Sequence, residues 1–141
     1  MRKLLSTRPE RRRLLLEAAM SLTVARLMLR FISFQRIANT LSRKAARSEI
    51  EGPTRELLCR EVRSAVERMA GLLPGKTVCF PRAIATQAML RRRGISTTLY
   101  YGARDVGSLI AHVWIQDGET GVIGMPEKGD YAVVAKYPYS V

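Results

Sequence analysis

Histidine and cysteine are scarce in this chain, which has one histidine and two cysteines among its 141 residues. Two cysteines are too few for the disulfide framework of a small secreted domain. One histidine and two widely separated cysteines also do not make a zinc site. The sequence contains no glycine-rich phosphate-binding loop and no recognisable RNA- or DNA-binding module. We therefore expect no bound cofactor and no metal.

Long uncharged apolar runs are also missing. The most apolar stretch, residues 14–34, contains Glu17, Arg26 and Arg30. A membrane span needs ~20 mostly apolar residues, and each charge near its centre costs about 2.5–3.5 kcal/mol. We interpret this stretch as a buried or amphipathic helix. Arginines before residue 14 interrupt the apolar core that a cleavable signal peptide requires, so a cytoplasmic location is expected.

Acidic residues are half as frequent as basic ones, 12 against 24, for a net charge of +12. Residues 1–50 hold 12 basic and three acidic residues, a net of +9, and residues 51–141 hold 12 and nine, a net of +3. We expect one compact domain, with a basic helical segment over 1–50 and the core over 51–141. The basic excess implies an acidic partner, an anionic membrane surface or nucleic acid, without choosing among them.

The periodicity of apolar residues changes once along the chain. Helical spacing and helix start and stop signals predict helices over 9–42 with a break near 31–34, over about 54–73, and from Cys79 to just before Gly94. After Gly94, β-branched and aromatic residues predict strands over 95–101, 109–116, 122–125 and 131–137, with a hairpin turn at Asp117-Gly118. Helices followed by a small antiparallel sheet indicate an α+β fold.

Cys79 stands directly before a predicted helix, and the only histidine, His112, lies inside a predicted strand. A thiol at a helix N-terminus is in a positive potential that favours the thiolate, which is the nucleophilic form. A nearby histidine would complete a Cys–His pair for acyl transfer. Each residue alone has a plainer explanation, as a buried inert thiol or as a core histidine. Strand alternation places the histidine on one face with Ile110, Trp114 and Gln116.

Three stretches carry a resemblance to a known family: Cys79-Phe80-Pro81-Arg82, Leu90-Arg91-Arg92-Arg93-Gly94-Ile95 and Ala111-His112-Val113-Trp114-Ile115. They resemble transglutaminase-like, papain-like cysteine peptidases, and among these the stand-alone leader peptidases of lasso-peptide biosynthesis. The resemblance covers roughly residues 55–137. It implies N-terminal helices followed by a transglutaminase- or papain-like core, in which the catalytic helix packs on a small antiparallel sheet.

The resemblance also implies an activity and the roles of two residues. The protein would be a cysteine peptidase that removes the leader from a ribosomally made lasso precursor before macrocyclisation. Cys79 would be the nucleophile, and His112 the general base that later protonates the leaving amine. Apart from the resemblance, Arg82, one turn past the cysteine, is a candidate for supporting the active site or for a packing role.

The third member of the catalytic triad is left unassigned. The family has an aspartate on the strand after the histidine, and that position falls on or near Gly124. Glu127 is the first candidate in its place. Asp117 ranks behind it, because about five strand residues separate it from His112, or ~16 Å. A backbone carbonyl or Gln116 could also hold the imidazole.

The implied partners are the lasso precursor, a separate precursor-recognition protein and an asparagine-synthetase-like cyclase. Contact of the basic helices with a membrane surface is left open, and nucleic acid is not expected as a partner. Two other functions stay under consideration. One is a non-catalytic basic helical adaptor that binds membrane or nucleic acid, and the other is a Cys–His acyltransferase or transamidase.

Overall fold

The computed structural model describes residues 8–41, 52–73, 79–105, 107–126 and 131–137. Within these ranges the helices are α1 (Arg8–Phe31), α2 (Phe34–Leu41), α3 (Pro53–Leu72) and α4 (Cys79–Arg92). The strands are β1 (Thr98–Asp105), β2 (Leu109–Asp117), β3 (Thr120–Ile123) and β4 (Ala132–Tyr137). Helices precede an antiparallel sheet, so the predicted α+β fold is confirmed.

The strands form one sheet in the order β3-β2-β1-β4, with every neighbouring pair antiparallel. Asp117 pairs with Thr120, which leaves Gly118 and Glu119 as a two-residue hairpin loop. Gly118 has a φ of 65°, the positive value that such tight hairpins require. The Asp-Gly signal in the sequence therefore marked a real turn.

The predicted helical segment 9–42 is two helices, with the break at Ile32 and Ser33. Ser33 begins α2 in the manner of an N-cap, since its Oγ accepts a hydrogen bond of 3.3 Å from the Arg36 backbone N–H. No helix in the described part of the chain is long and apolar enough to cross a membrane.

Helix α1 belongs to the same core as the rest of the fold. Its buried residues recur at spacings of three and four and form one face: Leu14, Ala18, Leu22 and Ala25. The first three share an apolar cluster with Val62 and Val66 of α3, Met89 and Leu90 of α4, and Val113 and Ile115 of β2. The basic N-terminal segment therefore contributes part of the interior through α1.

Helix α4 begins at Cys79 itself, where the sequence placed this residue directly before the helix, and it ends in a Schellman motif. The Gly94 N–H donates to the Arg91 carbonyl at 3.1 Å, and the Ile95 N–H donates to the Leu90 carbonyl at 2.9 Å. Gly94 has a φ of 82°, which glycine adopts without steric cost. This end fixes where α4 stops and turns the chain into the sheet.

Candidate active site

Cys79 and His112 lie on the same cleft. The cleft has a volume of about 370 Å³ and lies between α3, the start of α4 and the β2–β3 region; it is lined by Glu67, Cys79, Arg82, Ala83, His112, Val113, Ile123 and Gly124. The structure therefore brings together three residues that the sequence singled out: the cysteine, the histidine and Arg82.

The two cysteines are in different environments, and both are free thiols. Cys79 is partly exposed at the first position of α4. Cys59 is 8% exposed, and burial, helped by the nearby Asp117 carboxylate, raises its pKa to about 11. Cys59 is therefore protonated at neutral pH, which leaves Cys79 as the thiol positioned to react.

His112 is oriented by a backbone carbonyl. Its Nε2 lies 2.7 Å from the carbonyl oxygen of Gly124. A carbonyl can only accept, so Nε2 must donate and carry the proton, and in the neutral ring Nδ1 then holds the lone pair. The resemblance places the family's aspartate on or near Gly124. The carbonyl of Gly124 is the group that fixes the tautomer in the structure.

The backbone of Gly124 is suited to this contact because its φ is 75°. A Cβ added there would lie 3.2 Å from the Val113 carbonyl oxygen, and the positive φ would strain any L side chain. The positive φ and the nearby carbonyl therefore explain why glycine is favoured at position 124.

Aromatic rings hold the imidazole on its strand. The His112 ring stacks near Trp114 and Tyr131, with centroid distances of 5.9 and 5.2 Å. The Trp114 Nε1 donates to the Gln116 side chain at 2.8 Å, and its ring stacks on Tyr100 at 5.6 Å. The predicted shared face of the histidine, the tryptophan and Gln116 is confirmed. The side-chain oxygen of Gln116 thus accepts a hydrogen bond from Trp114.

Gly102 makes room for this aromatic cluster. It pairs with His112 across the β1–β2 ladder. A Cβ at this position would lie 2.8 Å from Cζ3 of Trp114 and 2.9 Å from Cβ of Tyr131, closer than real contacts allow. This constraint could not be predicted from the sequence, because it depends on which residues face each other in the sheet.

The chain matches the transglutaminase-like superfamily over residues 19–136. It belongs to that superfamily. Its members are in general cysteine peptidases or transamidases, so membership supports a Cys–His acyl-transfer activity of one of these types. Comparison with curated proteins and with solved structures gives no match. The matched range begins inside α1. The transglutaminase-like domain therefore includes part of α1 and all of α2, as well as the helices that follow residue 50.

Asp117 lies away from the cleft of this transglutaminase-like core. Its carboxylate accepts hydrogen bonds from Arg55, with Nε to Oδ2 at 2.6 Å and Nη2 to Oδ1 at 2.7 Å. Arg55 also donates to the Ser96 carbonyl at 3.1 Å. The aspartate thereby joins the hairpin to α3, on a separate cavity that also includes Cys59. Glu127, the first candidate for the third triad member, lies outside the described residues.

Two further charged residues line the cleft. The Nε of Arg82 is buried and has no hydrogen-bond partner among the described residues. Glu67 comes from α3 and forms a surface ion pair of 3.4 Å with Arg63. Sequence reasoning missed Glu67, because only the packing of α3 against α4 brings it beside Cys79. The cleft therefore contains a carboxylate that does not come from the strand after the histidine.

Proposed function

We propose that this protein is a cysteine peptidase that removes the leader from a lasso-peptide precursor. The observation that carries the catalytic part is the 2.7 Å contact of His112 Nε2 with the Gly124 carbonyl, in the cleft that Cys79 also lines. It presents a histidine with defined tautomer and a free basic nitrogen to a cysteine at a helix start.

The reaction follows from this arrangement. His112 Nδ1 takes the proton from the Cys79 thiol, and the thiolate sulfur attacks the carbonyl carbon of the scissile peptide bond. The backbone N–H of Cys79, at the unpaired end of α4, is a donor for the oxyanion. The C–N bond breaks as His112 returns the proton to the leaving amine. Water, deprotonated by His112, then hydrolyses the thioester and releases the acid.

A carbonyl in place of the triad carboxylate has a chemical consequence. It fixes the imidazole as a carboxylate does, but it adds no full negative charge to stabilise the imidazolium. A cysteine nucleophile tolerates this better than a serine, because a thiol ionises far more readily. Glu67 supplies a negative charge to the same cleft from α3. We therefore infer a Cys–His dyad whose supporting groups are a carbonyl and a cleft carboxylate.

The assignment to lasso-peptide leaders is supported by the sequence resemblance. The helix-start motif around Cys79, the Leu90–Ile95 run and the strand motif around His112 are all part of it. The N-terminal region that the structure describes is helical, without a β-hairpin for strand addition to a leader. We propose that a separate protein presents the precursor, and that an asparagine-synthetase-like cyclase acts on the product.

Incubation of the purified protein with precursor peptide, followed by mass spectrometry, tests this function. We expect leader and core fragments, faster with the separate recognition protein. Cys79→Ala and His112→Ala should abolish cleavage and keep the circular dichroism spectrum, while Cys59→Ala, on the buried face of α3, should still cleave. No cleavage by the unsubstituted protein, even with the recognition protein present, would support the non-catalytic adaptor function instead. An amide-linked product without free acid would indicate a transamidase.

A further inference from the structure

A second concave surface adjoins the start of α4 on the side of α1. We call it the basic groove; its volume is about 610 Å³, and it is lined by Thr23, Arg26, Leu27, Leu29 and Arg30 of α1 and by Phe80 and Pro81 of α4. These residues include two arginines and no acidic residue. Neither the catalytic residues nor the core accounts for a concave, positively charged surface here.

The chemistry of the basic groove fits an acidic peptide segment with apolar side chains. Guanidinium groups bind carboxylates with good geometry, often through two hydrogen bonds. Between the arginines, Leu27 is 53% exposed, although it is a large apolar side chain on a helix. Phe80 and Pro81 add an apolar wall opposite. A concave surface with a few placed charges suits a bound chain better than a flat membrane surface.

The basic groove is next to the candidate active site. Phe80 and Pro81 follow Cys79 directly, and Arg82 and Ala83 line the catalytic cleft. The first turn of α4 thus separates the two concave surfaces. A helix is ~10 Å across with its side chains, and an extended peptide covers that distance in about three residues. A substrate held at Cys79 can therefore reach the groove without a turn.

We propose that the basic groove binds an acidic segment of the substrate peptide, about three or more residues from the scissile bond. This inference rests on the proposed peptidase function for the identity of the ligand. The groove then acts as a specificity site, because the exposed Arg30 favours a carboxylate at that distance. Its contribution is to affinity for substrate and not to the chemical step.

The test compares Arg30→Glu with Arg12→Glu. Both arginines are exposed on α1, but only Arg30 lines the groove. The two substitutions change the net charge equally, so a difference between the variants reports the position of the lost arginine. In a Cys79→Ala background, fluorescence anisotropy measures the binding of a short labelled Leu-Glu peptide and its Leu-Lys counterpart. We expect Arg30→Glu to weaken Leu-Glu binding about fivefold relative to Arg12→Glu, the size of one exposed ion pair, and not to weaken Leu-Lys binding.

Failure of the groove and failure of the peptidase give different results. No Leu-Glu binding by the Cys79→Ala protein, or equal losses in both variants, would overturn the groove assignment whatever the enzyme does. An Arg30→Glu effect seen only with phosphatidylserine vesicles would also overturn it, in favour of a membrane surface. Where the active protein cleaves an acidic peptide, Arg30→Glu should raise KM with kcat unchanged, since it removes uniform binding. A fall in kcat alone would contradict the proposal.

Discussion

At the scale of single residues, Gly124 decides how the histidine is held. Two of its properties matter: a carbonyl that meets His112 and a φ of 75° that only glycine adopts easily. The orienting contact to His112 therefore comes from the backbone and not from a side chain. A main-chain carbonyl can orient an imidazole in this way when its residue can take the required conformation.

Gly124→Ala should lower kcat/KM at least about tenfold, because a small displacement of an orienting group costs one to two orders of magnitude in rate. Gly118→Ala is the matched control, since Gly118 also has a positive φ of 65° but its added Cβ would meet nothing within 4 Å. Urea unfolding should show a loss of about 1 kcal/mol for each variant. Equal activity in the two variants would show that the Gly124 carbonyl does not orient the imidazole.

The two cysteines should react at different rates with iodoacetamide. Burial raises the pKa of Cys59 to about 11, and the side chain is only 8% exposed, so it should stay unmodified in the folded protein. Cys79, partly exposed at the start of α4, should be modified first. Peptide mapping by mass spectrometry over pH 6 to about 9, below the raised value, measures both sites. Faster labelling of Cys59 would remove Cys79 from the nucleophile role.

At the scale of elements, β1 and β2 form a surface on which His112 lies among aromatic rings. The pairing of Gly102 with His112 leaves space for Trp114 and Tyr131 over the smallest residue of β1. The strand sequence predicts which residues share a face, but not which neighbours lie across the ladder.

The methyl group added by Gly102→Ala would lie less than 3.0 Å from side-chain atoms of Trp114 and Tyr131. Both side chains should therefore move, and His112, which stacks on them, should be held less firmly. Trp114 is the only tryptophan, so a shift in intrinsic fluorescence reports this displacement directly. Cleavage should fall together with the spectral change. Gly71→Ala in α3 serves as control: its added Cβ meets nothing within 4 Å, and alanine in a helix is favoured by up to about 1 kcal/mol. An unchanged spectrum in Gly102→Ala would contradict the packing argument.

Helix α1 has apolar residues on two opposite sides. One side is buried in the core, and the other is an exposed stripe of large side chains: Leu16, Met20, Val24, Leu27 and Phe31, which are 46–83% exposed. The apolar run in the sequence suggested a buried or amphipathic helix, and α1 combines the two. Only the positions of α3 and α4 determine which side is covered.

At the scale of the whole molecule, local features were predictable and contacts between distant elements were not. The start of α4 at Cys79 and its end at Gly94 depend on caps and φ preferences that neighbouring residues determine. Glu67 enters the cleft only through the packing of α3 on α4, and the Asp117–Arg55 pair joins residues 62 positions apart. Cys79 and His112 could be proposed as a pair from the sequence because their own side chains carry the chemistry, whereas the groups around them in the cleft come from the tertiary structure.

A second long-range contact joins the N-terminal helix to the end of α4. The Glu17 carboxylate accepts hydrogen bonds from Arg93 at 2.6 and 3.0 Å and from Arg92 at 3.0 Å. The hydrogen bonds with Arg93 are the main cause of a lowered pKa for Glu17, and they outweigh the opposing effect of partial burial. Since α1 supplies part of the core, this contact joins the basic segment to the end of α4.

Acid should therefore weaken the attachment of α1. A carboxyl whose pKa is lowered on folding stabilises the fold fully above its unfolded value, here 4.5, and this stability is lost as the pH falls through the folded value. Glu17→Gln should cost about 1–2 kcal/mol of unfolding free energy at neutral pH, because two guanidinium groups lose a charged acceptor. Urea unfolding of both proteins at several pH values should show the difference shrinking below pH 4.5. Glu67→Gln, which weakens an exposed ion pair with Arg63, is the control for stability and should cost about 0.5 kcal/mol or less. A difference for Glu17→Gln that persists unchanged into acid would mean that the Glu17 side chain stabilises α1 by packing and not by its charge.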